Sequence, residues 1–416
     1  MRQLFKHRGL RLIFIANLVS MIGSGMNTAA VTWFILQATH SEMSLSTLVV
    51  LQTVPALLML PFTGVIIDRE DRRRLVMLLD ALRCAVIFIV AVLAIRNQVQ
   101  VWHLYAMGTL VAAGFWMFWP TITALVQELS PESEFVSANT LLIAGVQGGW
   151  MIAGAIVGFV YERIHLGGVL ALDAATYVVS FLCYFAVRKG KVTVAPREVP
   201  SHVGEDALSR YVHELREGVH YLRNQRSVVL LGISWAIFLA SMLTQGVTTA
   251  PLSDRILHAG ARGFGWLNGG WGIGAVMSTL YAPLFIRTFR GRPSVVCAMA
   301  VLALSATVAP FAGSVALAVM CYVLMGSGRG VAGVAISSTM MGMVPKHFMG
   351  RVQNTFFFFG TALQLVTSIA VGVIAEQISL ALAFAIIGVM YAVAAIAAAW
   401  PVSAPATAAA ETLDIR

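Results

Sequence analysis

Twelve apolar runs constrain this 416-residue chain more than any other feature. They lie at about 12–36, 45–67, 75–95, 103–126, 138–161, 169–187, 228–249, 263–286, 294–312, 315–341, 352–375 and 380–400. Each is long enough, as a helix, to cross a hydrocarbon layer of roughly 30 Å. With 58% hydrophobic and only 11% charged residues, the chain lacks the polar surface a soluble globule of this size needs. The expectation is an all-α membrane protein of twelve transmembrane helices. The net charge of +9 does not call for a nucleic-acid partner, because membrane proteins gather Lys and Arg on their cytoplasmic side. Cys84, Cys183, Cys297 and Cys321 all fall inside apolar runs and read as small hydrophobes. No metal or other cofactor is implied. The first run is too long for a cleavable leader and continues into further spans.

One long polar interruption, 188–226, divides the runs six and six. Pro196 and Pro200 lie in its first part. In its second part, 209–224, Val212, Leu215, Val219 and Leu222 recur at helical spacing among charges, which predicts an amphipathic helix at the membrane surface. The expected organisation is an N-terminal six-helix bundle (1–187), a cytoplasmic linker (188–226), a C-terminal six-helix bundle (227–400) and a cytoplasmic tail (401–416). Placing both termini in the cytoplasm puts 22 Lys and Arg on that side and 4 on the other, which fixes the orientation. An internal repeat supports the two halves. Leu129-Ser130-Pro131 leads to Asn139-Thr140, and Met343-Val344-Pro345 leads to Asn354-Thr355, with the prolines 214 residues apart. Two related bundles with a site at their interface are one of the standard transporter plans.

The most charged stretch runs from Asp68 to Arg74 (Asp-Arg-Glu-Asp-Arg-Arg-Arg), seven charges in seven residues between the second and third runs. Such charge cannot sit in hydrocarbon, so this is a hydrophilic elbow between two helices. A weaker echo, Arg287-Thr-Phe-Arg290-Gly-Arg292, separates the eighth and ninth runs. Gly64, Asp68, Arg69, Arg72 and Arg73 fall on the positions of the signature G-x-x-x-D-[RK]-x-x-[RK]-[RK], and Asp71 stands where Gly is common. On these residues the chain resembles the major facilitator superfamily. The Asp71 variant and the Val344-Pro345 to Gly350-Arg351 stretch resemble its drug:proton antiporter-3 branch, which includes macrolide-efflux and enterobactin-export proteins. The sequence departs from the branch where Ser24 follows Gly23, a place often acidic. It departs again where Ala155 follows Gly154, the place of a proline in antiporters.

The resemblance implies proton-coupled export of small amphipathic molecules (drugs, macrolides or siderophores) by a monomer in a bacterial cytoplasmic membrane. It places helices one, four, seven and ten around the cavity, with Asn17, Asn27, Trp116, Trp119, Trp235, Gln245 and Arg329 as candidate lining. An apolar, aromatic cavity with a few polar groups suits such a substrate. The partners expected are the small-molecule substrate, protons and the lipid bilayer. Arg329 lies within the tenth run, where a guanidinium is costly unless it meets water, a partner or a substrate. It is either a cavity cation or half of a structural pair. Asp173 and Asp80 are candidates for the proton-coupling carboxylate, although Asp80 lies one turn before Arg83 and also suits a local pair. Glu162 and Glu376 end their runs and are expected to be solvated. Gly64 would let the second helix approach a neighbour, and Asp68 could accept from a helix N-terminus or pair with Arg72, so the elbow is a candidate gate. Two alternatives stay open: uptake or flipping of a lipid-like or anionic metabolite, favoured by Arg329, and a polytopic membrane enzyme. No H-E-x-x-H, G-x-S-x-G or phosphate-cradling G-x-x-x-x-G-K-[ST] occurs to support catalysis or direct ATP drive.

Overall fold

Hydrocarbon offers no partner for backbone N–H and C=O groups, so helices are the element these apolar runs can form. A computed structural model describes residues 8–130, 135–187, 207–223, 225–289, 291–345 and 348–400. Its N-terminal half comprises α1 (Arg8–Thr39), α2 (Glu42–Arg69), α3 (Arg72–Ile95), α4 (Val101–Leu129) and α5 (Phe135–Ala186). A linker helix, α6 (Ala207–Leu222), follows. The C-terminal half comprises α7 (Arg226–Thr244), α8 (Gly246–Pro251), α9 (Gly260–Phe289), α10 (Arg292–Val308), α11 (Val315–Met343), α12 (Met349–Gln377) and α13 (Leu380–Ala399). Among the described residues, 11 helical stretches are long and apolar enough to span a membrane. Apolar side chains such as Leu58 (60% exposed), Leu280 (78%) and Val366 (66%) point outward from them, as lipid-facing residues do.

Local chemistry explains the boundaries. Ser41, Asp71, Ser314 and Ser379 each accept a backbone N–H in the first turn of the helix that follows. The fifth and sixth runs form the two helical arms of α5, which meet at a kink at His165 (φ 52°). The structure corrects two sequence expectations. The run at 228–249 ends as α7 at Thr244 and continues through α8 into a π-helical turn, Leu252–Ile256. The linker helix starts and stops two residues before its expected bounds. The first part of the linker, Pro131 and the C-terminal tail lie outside the described residues.

Within the halves, α1 packs against α5, α3 against α4 and α5, α9 and α10 against α11, and α7 against α12 and α13. Between the halves, α2 meets α12 and α5 meets α9. These are one contact made twice. α2 and α9 both precede a charged elbow, and α5 and α12 both follow a copy of the proline repeat.

Candidate functional site

The elbow is bound into its own half. Asp71 caps α3 through Arg74 N (3.1 Å). Arg72 donates to Ala124 O (3.4 Å) and lies 3.6 Å from Glu128, both at the end of α4. Arg73 donates to the carbonyl oxygens of Tyr184 (2.8 Å) and Phe185, at the end of α5, where cations suit the helix dipole. Three helix ends are thereby tied together on what is here called the elbow side. The side chains of Asp68 and Arg69 and the surroundings of Gly64, and with them the expected contact of Asp68 with a helix N-terminus or Arg72, lie outside the described residues.

Deeper in the same half lies a largely buried polar network. Asp80 (0% exposed) accepts from Arg83 Nη2 (2.5 Å) and Ser180 Oγ (2.6 Å). The Arg83 guanidinium stacks over Phe118 (4.5 Å) and Tyr177 (4.7 Å), and Nη1 reaches Tyr177 Oη at 3.5 Å. Gly114 makes this fit possible, because a Cβ there would stand 3.0 Å from the arginine stem. Tyr177 Oη in turn meets Ser24 Oγ at 2.9 Å. Asp173, also 0% exposed, accepts from Asn27 Nδ2 (2.6 Å) and Thr176 Oγ1 (3.3 Å). Among the described residues no Lys, Arg or His lies within ion-pair distance of it. A Cβ on Gly23 would collide with Asp173 Oδ1 and with Thr176, so the glycine holds open the carboxylate's seat. A cavity of about 50 Å³ adjoins Asn27, Ser24 and Gln52, enough for one water-sized molecule.

In the C-terminal half, Arg329 on α11 stacks over Trp271 of α9 (4.7 Å) and places Nε 2.7 Å from Met242 Sδ of α7. Of the glycines near it, Gly326 closes on the Trp271 carbonyl and Gly330 on Ser278, while Gly333 has nothing within 4 Å. Among the described residues no carboxylate pairs with Arg329. Gln245 sits where α7 breaks, beside Met325 Sδ (3.7 Å), and its carbonyl accepts from Thr248 and Thr249. Trp235 is partly buried against the main core.

The expected lining residues therefore separate. Asn17 is buried and donates to Leu142 O of α5 (3.1 Å), a helix–helix bond. Trp119 packs into the core of the N-terminal half. Trp116 meets Phe357 of α12 edge-on (5.5 Å), across the halves. Asn27 serves Asp173.

A further set of groups, of which only Glu162 and Glu376 were singled out from sequence, joins the halves at the end opposite the elbow. Glu42, 0% exposed, pairs with Arg255 at 2.7 Å, and Arg255 also donates to His40 O (2.7 Å). Glu376 accepts from Ser41 Oγ (2.5 Å) and Met43 N (2.8 Å). Arg262 pairs with Glu162 at 2.6 Å. Glu162 and Glu376 are exposed, as expected, and are also partnered across the halves. Below them Ser46 donates to Ser368 O (2.5 Å) and Gln364 to Thr53 Oγ1 (2.7 Å). Along α5 and α9, a Cβ on Gly158 would stand 2.6 Å from Ala261 O, and one on Gly154 2.8 Å from the Asn268 backbone. Small residues give this backbone-to-backbone approach. Among the described residues, all hydrogen bonds and ion pairs between the halves lie from this far side to mid-depth. The signal available in sequence was scarcity, since the far-side loops carry few charges.

Two like helical halves closed at one end, with ionisable groups enclosed among membrane-spanning helices, define a membrane transporter. The chain belongs to the transmembrane secretion effector family of the major facilitator superfamily, whose family model matches residues 3–414. It is 24% identical over 386 residues to the uncharacterized MFS-type transporter YkuC of Bacillus subtilis, covering 87% of this chain and 85% of that protein. It is 24% identical to the multidrug efflux pump Tap of Mycolicibacterium fortuitum (83% and 84% covered). It is 22% identical to macrolide efflux protein A of Streptococcus pyogenes over about half of each chain (53% and 52%). Among solved structures, the nucleoside transporter NupG superimposes with a TM-score of 0.73 at 13% identity (94% and 98% covered). The POT family transporter PepTSo does so with 0.73 at 13% identity (98% and 99%), so the fold is shared.

Proposed function

We propose that this transporter works by alternating access and exports small amphipathic molecules of the drug, macrolide or siderophore class in exchange for protons. The observation that carries the proton step is Asp173. It is a buried carboxylate held by neutral donors and free of any ion pair among the described residues, and its donor Asn27 lines a small cavity. A carboxylate in hydrocarbon depth is costly as an anion, and a group so placed can take up and release a proton as access changes. Asp80, tied to Arg83 and Ser180, is the fixed member of the network, and the cycle uses Asp173. With twelve spans and both termini in the cytoplasm, the elbow side is cytoplasmic. In this reading the protein is a monomer in a bacterial cytoplasmic membrane, and the contacts on the far side support an inward-facing state. In it Asp173 gives its proton to the cytoplasm and substrate enters. When the far side opens, the elbow arginines, with Gly64, Asp68 and Arg69, close the cytoplasmic end. The efflux proteins among the relatives support the outward direction.

The test is flux in proteoliposomes with imposed pH gradients of either sign, using a macrolide and a cationic dye. Wild type accumulates substrate only with a gradient of one sign, and Asp173→Asn loses the gradient dependence. Gradient-driven flux in Asp173→Asn equal to wild type removes Asp173 from the proton step. Flux that ignores the gradient in the wild type removes proton coupling. Arg329, without a carboxylate partner, favours a second reading in which the cargo is an anionic or lipid-like metabolite taken up or flipped. Selective flux of anionic probes that disappears in Arg329→Gln would decide for it.

A further inference from the structure

The linker helix α6 presents three different faces. Gly218 closes on Arg351 and Thr355 of α12, Glu217 pairs with Arg351 (3.1 Å), and Tyr221 stacks on Phe348 (4.6 Å). This side, which also carries Glu214, faces the protein, and α6 touches both α2 and α12. Turned away from it are Leu208 (57% exposed), Val212 (53%) and Val219 (38%), within ~40° of one another around the helix axis. Beside that apolar stripe, within ~80°, come Arg223, Arg216, His220 and His213, and no acid falls among them. The acid nearest this band, Glu217, is held by Arg351 and lies 3.4 Å from His213. Where the band meets the protein there is a cavity of about 400 Å³, lined by His213, Arg216, Glu217, His220, Tyr221 and Phe348.

We propose that this face is a binding site for an anionic phospholipid, with the apolar stripe lying among acyl chains and the phosphate seated in the cavity between Arg216 and the two histidines. The geometry matches a helix lying in the membrane interface. Its exposed apolar side chains need a hydrocarbon neighbour, and the adjoining basic band sits at headgroup height. Each Arg near an anionic leaflet adds to the attraction, and guanidinium groups suit phosphate geometry. A lipid held there contacts the one described helix that lies between the two halves in sequence while touching both. The inference does not depend on the cargo or the coupling ion.

The experiment is native mass spectrometry of the full-length protein in neutral detergent, titrated with phosphatidylglycerol, phosphatidylcholine or inorganic phosphate. Wild type retains phosphatidylglycerol in preference to phosphatidylcholine. Arg216→Gln/Arg223→Gln weakens that retention about tenfold or more, and Val212→Ser/Val219→Ser also weakens it. Arg287→Gln, at the second elbow, leaves it unchanged. Equal retention in wild type and the double arginine variant overturns the proposal, as does an equal loss in Arg287→Gln. Inorganic phosphate displacing the lipid at matching concentration points to a soluble phosphorylated ligand, and overturns the lipid assignment.

Discussion

Arg83 and Arg329 are both guanidinium groups inside membrane-spanning helices, and the protein holds them in opposite ways. Arg83 has a carboxylate at 2.5 Å and two aromatic faces, so its charge is compensated on the spot. Breaking one partner of such a buried pair leaves the other charge stranded, at about 3–5 kcal/mol, whereas replacing both is tolerated far better. Arg83→Leu should therefore lower thermal stability in detergent sharply, and Asp80→Asn/Arg83→Leu should recover most of the loss. Equal damage in single and double variants would contradict the pairing. Arg329 has only a thioether and an indole face among the described residues. Its removal should spare the fold and stop transport: Arg329→Ala reaching the membrane normally yet moving no substrate is the expected outcome, read by flux at equal expression. Gly23→Ala tests the seat of Asp173 from another helix. The added methyl collides with the carboxylate, so transport should fall while Gly313→Ala, where nothing lies within 4 Å, has no effect.

At the scale of helices, the far-side clasp has two grades of charge. Glu162 and Arg262 are partly exposed, at 37% and 62%, and are weakened by salt. Glu42 is fully buried while its partner Arg255 is 40% exposed, so salt weakens that pair less. Glu42→Gln should therefore release the far side more than Glu162→Gln does. Cysteine accessibility is the measure, with a far-side position such as Gln37 labelled faster in Glu42→Gln. Identical labelling in both variants would deny the clasp its role. Sequence could place the elbow, because its charges are contiguous. It could not place the clasp, because Glu42 and Arg255 are single residues over two hundred positions apart, brought together only when α2 and the π-helical turn meet. Asp173 is an intermediate case. Its carboxylate inside an apolar run was legible, and its bond to Asn27 was not, because that needs the α1–α5 packing that Gly23 permits.

For the whole molecule, the repeat in sequence has a counterpart in the doubled α2–α12 and α5–α9 contact. The separation of the candidate lining residues was not legible in sequence. Asn17, Trp119 and Trp116 all lie inside apolar runs, yet a helix–helix bond, a core and an inter-half contact claim one each. The glycine seam of α5 and α9 has a consequence for speed. If access alternates as proposed, the backbone-on-backbone approach leaves few side-chain rotamers to exchange along the seam as the halves part, the Phe159–Trp266 pair being one of them. A bulky residue at Gly158 should then act as a wedge, biasing the resting molecule toward the opposite face of the membrane.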